Sequence, residues 1–150
     1  MQRKSFGAME CPVARSLERV GEWWSILILR DAIYGSTRFD QFQKGLAIAP
    51  NMLTRRLTAL VDAGLLERRR YSEHPPRDEY LLTAAGRDFL PVLFAFGAWG
   101  GRHFGDADFS RLIETGSGAE VEPVVVDRAS GVALAEMDLR IQPPAGLGAV

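Results

Sequence analysis

The stretch "PNMLTRRLTALVDAGLLERRR", residues 50–70, restricts the fold more than any other part of the chain. A proline at its head suits the first turn of a helix, where the missing N–H has no partner to lose. The glycine at position 64 suits the left-handed residue that closes one. Between them, at about 100° per residue, Leu53, Leu57 and Leu60 fall on one face. Asn51, Arg55, Thr58 and Asp62 fall on the opposite face, with Thr54 and Arg56 on the flanks. Directly after the glycine, "LLERRRYS" and "DEYLLT" have strand composition and are joined by the turn-forming "EHPPR". A half-leucine helix that runs without a linker into a basic hairpin belongs to very few architectures.

The flanking sequence extends the pattern. "CPVARSLERVG" predicts a helix with Cys11 at its cap, Pro12 at its first position and Gly21 at its exit. "EWWSILILRDAIYG" predicts a second, the most apolar and therefore the central one, ended by Gly35. "STRFDQFQKGL" predicts a short third helix stopped by Gly45, and "AIAP" a tight turn. After the hairpin, Thr83 caps one long helix over "AAGRDFLPVLFAFGAWGGRHF", bent at Pro91. From Gly105 onward "GSGAE" is linker-like, and "VEPVVV", "GVALAEM" and "DLRIQ" suggest two or three short strands. Residues 1–10 read as a loose arm and "PPAGLGAV" as a frayed end, and no internal repeat stands out. The expected fold is mainly α with a small β-hairpin wing, a winged helix–turn–helix, over residues 1–105. Residues 106–150 form a short C-terminal β-rich extension of unknown role.

A short helix, a tight turn and an amphipathic helix make a helix–turn–helix. The second helix of such a motif docks on its own protein by one face and reads base edges in the major groove with the other. Asn51, Thr54, Arg55, Arg56 and Thr58 are the candidates for that reading face. In the wing, Arg68, Arg69 and Arg70 alternate faces, so two point one way and one the other. Arg69, together with His74 and Arg77 near the tip, is placed to reach phosphates or the adjacent minor groove. Charge agrees once the chain is divided. Residues 1–105 hold 15 Lys+Arg against 11 Asp+Glu, and residues 106–150 hold 3 against 8, so the overall −1 conceals a basic part.

The segments "CPVARSLERVG", "WWSILILRDAIYGSTRFDQFQ", "PNMLTRRLTALVDAGLLERRRYSEHPPRDEYLLTAAG" and "LPVLFAFGAWG" resemble, in order, the HxlR family of winged helix–turn–helix regulators, relatives of the MarR group. The resemblance covers about residues 11–100. It implies a homodimeric, sequence-specific DNA-binding transcriptional regulator, a repressor, on a pseudo-palindromic site in double-stranded DNA. It also implies a dimer seam in the helix after the wing, with Phe89, Leu93, Phe94, Phe96 and Trp99 as its candidates. A serine commonly precedes the recognition-helix proline in the family, and Ala49 stands there instead. Some longer members carry a cysteine-rich, zinc-ribbon-like tail; this tail has no cysteine, so a metal-free remnant is expected.

Cys11 is the single cysteine. Free N–H groups at a helix start stabilise a thiolate, and the resemblance implies possible redox sensing at this position; the alternative is a small cap residue that senses nothing. With one thiol, a disulfide must be intersubunit or with a small thiol. His74 and His103 have no histidine or cysteine neighbours in sequence, so no metal is expected, and no cofactor. No nucleophile–base arrangement or phosphate loop occurs, which argues against an enzyme. No apolar run is long enough to span a bilayer, so the expected location is cytoplasmic, with DNA, a second copy and a small-molecule effector as partners. The competing reading is a winged-helix ligand-binding or protein-interaction module that no longer binds DNA.

Overall fold

The computed structural model describes residues 11–104 and 110–142. The expected arm at residues 1–10 and the expected frayed end at 143–150 lie outside them, as does the expected boundary at 105/106. The chain divides into two compact units, one up to Leu90 and one from Pro91 onward.

In the first unit, α1 (Pro12–Val20), α2 (Trp23–Ile33), α3 (Phe39–Leu46) and α4 (Pro50–Asp62) precede a hairpin of β1 (Leu66–Glu73) and β2 (Pro76–Leu82), followed by α5 (Ala84–Asp88). The core is the sum of one face from each: Ile28 and Leu29 of α2, Phe42 of α3, Leu53, Leu57 and Leu60 of α4, and Leu66 of β1 are all essentially without solvent contact. At about 25 cal/mol per Å² of apolar area removed from water, such side chains each contribute about 1.5–3 kcal/mol. The helix predicted as central contributes the fully buried Ile28 and Leu29, and it buries Ser25 and Asp31 as well.

The joint between α4 and the hairpin is short. Ala63 is the last αR residue and Gly64 takes φ +72°, a conformation open to glycine at little cost. The Leu65 N–H then donates to the Leu60 carbonyl and the Gly64 N–H to that of Val61, the two bonds of a Schellman closure. Leu65 packs on the same core as Leu60, and the next residue is already β1.

The hairpin pairs Leu66 with Leu82 through Arg70 with Asp78, shifts register at Tyr71, and closes with Glu73 opposite Pro76. A one-residue bridge, Arg38 to Glu79, with the Tyr80 N–H donating to the Thr37 carbonyl at 2.7 Å, ties it to the start of α3. Past the hairpin, the Thr83 hydroxyl donates to the Gly64 carbonyl at 2.6 Å and accepts from the Gly86 N–H at 3.1 Å. Gly86 is buried so tightly that a Cβ there would sit 2.1 Å from the Leu65 carbonyl oxygen.

Three expectations are corrected. Gly45 does not stop α3: the helix continues to Leu46, which packs on the core, and Ala47 takes the left-handed turn at φ +50°. Partial burial of Leu46 against the core offsets the roughly 1–2 kcal/mol that a left-handed alanine costs. The long helix after the hairpin is broken, not bent. Proline removes a ladder N–H and crowds the carbonyl four residues earlier, so α5 ends at Asp88 and α6 (Leu90–Phe104) starts afresh with Pro91 in its first turn.

Third, the extension has no strands among its described residues. It consists of two bridged turns, Ile113 to Glu120 and Val126 to Ala133, and a 3-10 turn at Leu134–Glu136. The two turns repeat each other, which the sequence reading missed. In the first, Glu114 accepts from the Ser117 hydroxyl at 2.6 Å and the Ser117 N–H at 2.6 Å, and Gly118 takes φ +71°. In the second, Asp127 accepts from the Ser130 hydroxyl at 2.7 Å and the Ser130 N–H at 2.9 Å, and Gly131 takes φ +72°. "ETGSG" and "DRASG" share the pattern acid, two residues, serine, glycine.

Candidate nucleic-acid interface

Along α4 the three leucines are inward, and Asn51, Thr54, Arg55 and Thr58 are exposed, as the angular spacing predicts. The Thr54 hydroxyl donates to the Pro50 carbonyl at 2.9 Å, and Asn51 Oδ1 accepts from the Met52 N–H at 2.8 Å. Both side chains keep further hydrogen-bonding capacity directed outward. Ala49 supplies no side-chain cap, so this helix begins on Pro50 alone.

Arg56 is placed differently from the other four. Its Nη2 lies 2.9 Å from Glu22 Oε2, its side chain is only 15% exposed, and its Nε is buried without a hydrogen-bond acceptor. It is a brace between α4 and the residue that opens α2, not part of the outward face. Arg55, by contrast, has no ion pair among the described residues.

Arg68, Arg69 and Arg70 alternate as expected, and each of the three is ion-paired. Arg70 Nε lies 2.6 Å from Asp78 Oδ1, and Arg68 Nε donates to Asp78 Oδ2 at 2.7 Å, with Arg68 Nη2 on the same oxygen. On the other face Arg69 grips Glu79 through Nε at 2.9 Å and Nη2 at 2.8 Å. The two arginines hold the Asp78 carboxyl below the usual carboxylate range, Arg70 contributing more than Arg68. His74 and Arg77 are exposed at and beside the tip, and Arg77 has no ion pair among the described residues. A residue that the sequence reading passed over joins them: the Arg38 guanidinium lies 4.8 Å from the Tyr71 ring centroid, beside the hairpin. The pairing of "RRR" with "RDEY" was present in the sequence as opposed charges across a hairpin, but it required the register to see it.

Elsewhere, Cys11 sits at the N-cap of α1, partly exposed and without a side-chain capping bond. Trp24 packs on the core, whereas Trp23 is exposed, and with Leu27 they line an open apolar notch of about 250 Å³. Phe89 belongs to the core of the first unit. On α6, Leu93 and Phe94 are half-buried, while Phe96 and Trp99 are about half exposed and stack at 6.0 Å between ring centroids, with Phe104 edge-on to Trp99 at 5.1 Å. No helix among the described residues is long and apolar enough to cross a membrane.

A leucine-backed helix with a polar outer face, closed directly onto a hairpin wing, is the architecture of a winged helix–turn–helix. The family model for the HxlR-like helix–turn–helix matches residues 19–108. This chain belongs to the HxlR family. Its similarity to the HTH-type transcriptional regulator Rv3095 of Mycobacterium tuberculosis is 47% identity over 88 residues, 59% of this chain and 56% of that one. The match thus spans little more than half the length of that relative. YdeP of Bacillus subtilis, also named an HTH-type transcriptional regulator, is 36% identical over 94 residues, 62% of this chain and 73% of YdeP.

Solved structures extend the likeness beyond the winged helix. PA1607, a candidate transcription factor, is 40% identical with a TM-score of 0.84, covering 93% of this chain and 99% of its own. PA1374 of Pseudomonas aeruginosa, described likewise, is 54% identical with a TM-score of 0.64, covering 90% and 94%. The redox regulator HypR in its reduced form is 32% identical with a TM-score of 0.58, covering 62% and 95%.

Proposed function

We propose that this HxlR-family chain is a sequence-specific DNA-binding transcriptional regulator that acts as a homodimer, represses its target, and responds to a redox or small-molecule signal. The observation that carries the reading is the division of α4: Leu53, Leu57 and Leu60 fully buried, with Asn51, Thr54, Arg55 and Thr58 on the open side. Arginine can grip guanine bidentately and asparagine adenine, so this face holds the two side chains best suited to base readout. Arg77 and His74 supply backbone contacts from the wing, which position the protein without selecting a sequence.

The second copy joins through the exposed aromatic face of α6, with Leu93, Phe94, Phe96 and Trp99 as its centre. Exposed apolar surface of this density marks an interaction site, and two copies then present two α4 helices to half-sites about 34–36 Å apart, or a multiple of that. Cys11, partly exposed at a helix start, is the thiol through which a redox signal acts, a role consistent with the likeness to HypR. Such a protein works in the cytoplasm, on the chromosome.

The test is a gel shift on the promoter fragment beside the protein's own gene at about 50 and 200 mM salt, where phosphate contacts make affinity fall steeply. Retardation that weakens with salt supports the reading. Absence of any shift, with the protein folded and dimeric, supports instead an interaction module, which the exposed Val124, Val125 and Val126 of the extension favour.

A further inference from the structure

The wing, residues 66–82, carries four arginines and four carboxylates, so its formal charge is zero. A flap that meets a polyanion is thus electroneutral, and the cause is local. Resting on the DNA-binding reading above, we propose that Asp78 is an internal counter-ion that competes with DNA phosphate for Arg68 and Arg70. It holds down sequence-independent affinity, so that the base contacts of α4 decide where the protein settles.

Geometry distinguishes Asp78 from the other three acids. Its side chain is 15% exposed, tucked beneath guanidinium groups that are 58% and 42% exposed. Each of its oxygens serves a different arginine: Oδ2 takes Arg68 and Oδ1 takes Arg70. Arg70 is its direct cross-strand partner and Arg68 lies two residues along the same face, so one carboxylate spans both. Glu73 is a poor substitute, 74% exposed and 3.5 Å from Arg70. Glu79 serves Arg69 on the opposite face.

The energetics permit competition. Solvent-exposed ion pairs are weak, because water and salt screen them, so a phosphate can displace Asp78 from either arginine. Each arginine also keeps unused N–H donors, since a guanidinium has five. The carboxylate nevertheless remains beneath them and lowers the charge of the trio from +2 to +1. Sequence-independent affinity comes from phosphates neutralised and counter-ions released, and Asp78 has already taken part of that role. The specificity ratio rises as a result, because affinity for competing non-specific sites is what it lowers.

Asp78→Asn keeps the shape and removes the charge. Binding is read by anisotropy on two labelled duplexes, a mixed-sequence one and the fragment of the protein's own promoter, across about 50–200 mM salt. The expected result is about three- to tenfold tighter binding to the mixed-sequence duplex at the low end. The slope of log affinity against log salt should steepen by about one to two, and the promoter-to-mixed ratio should fall. Glu67→Gln changes the net charge equally but lies outside the trio, and it should give little of the gain, which locates the gain in the trio rather than in net charge.

If folded Asp78→Asn binds the mixed-sequence duplex equally or more weakly, Asp78 orients its arginines instead, and the proposal is overturned while the DNA-binding reading stands. If neither wild type nor variant shows salt-dependent binding to either duplex, both fall together.

Discussion

Arg55 and Arg56 are adjacent, identical in chemistry, and opposite in placement. The angular arithmetic put Arg55 on the outer face and Arg56 on the flank, and a flank position can turn either way. What decides is Glu22, at the opening of α2, which draws Arg56 inward to 2.9 Å. No local pattern encodes that contact, because its two residues are brought together only by packing of α4 on the α1–α2 corner. Substitution should separate the two. Arg55→Ala should weaken a preferred duplex by about 1–3 kcal/mol and relax the base preference at one position, with little change in melting temperature. Arg56→Ala should lower unfolding free energy by about 1–2 kcal/mol in urea titration. Its buried, unbonded Nε and the partial exposure of Glu22 keep that loss at the low end. Equal melting midpoints for the two variants would remove the brace.

At the level of elements, most of the first unit was legible because its signals are local. Pro12 and Pro50 open helices, Gly35 and Gly64 close them, and the leucine spacing of α4 gives its buried face. Where local signals failed, packing overruled them: α3 runs through Gly45 so that Leu46 can reach the core, leaving Ala47 to turn. Pro91 was seen but underestimated, since it divides two helices. The missing cap at Ala49 is an unused source of stability. Ala49→Ser should raise unfolding free energy by about 0.5–2 kcal/mol, as a serine hydroxyl takes a free N–H of the first turn. A denaturant midpoint at or below that of wild type would show the backbone at Ala49 unable to present the hydroxyl.

For the whole molecule, two measurements bear on the assembly and on the extension. Phe96 is exposed on α6 next to Trp99, and Phe96→Glu should shift sedimentation equilibrium from dimer to monomer while leaving the helical signal intact. A dimer that survives the substitution moves the seam elsewhere. In the extension, Glu114 is held below its ordinary range first by the Ser117 hydroxyl, and Asp127 below its own by the Ser130 hydroxyl. A depressed carboxyl stabilises the fold above its unfolded pKa and loses that contribution as pH falls through the lower, folded value. The two turns should therefore keep their form at neutral pH and loosen below about pH 4. Amide shifts of Ser117 and Ser130 that stay constant through acid titration would remove the carboxylates from this role. The extension was the least legible part for a physical reason: its turns repeat in hydrogen-bonding roles, with Glu for Asp and Ala for Val, and residue identity hides the repeat.

Only Ala63, Gly64 and Leu65, the residues of the Schellman closure, lie between α4 and β1, and both elements are pinned to one core. A joint that short has no slack. The reading rod and its flap therefore travel as one casting, and no effector could tilt one while leaving the other in place. On the proposed reading, a signal must reposition the entire head or pry two heads apart. New target preferences, for the same reason, should arise by exchanging side chains on a fixed die rather than by re-aiming it.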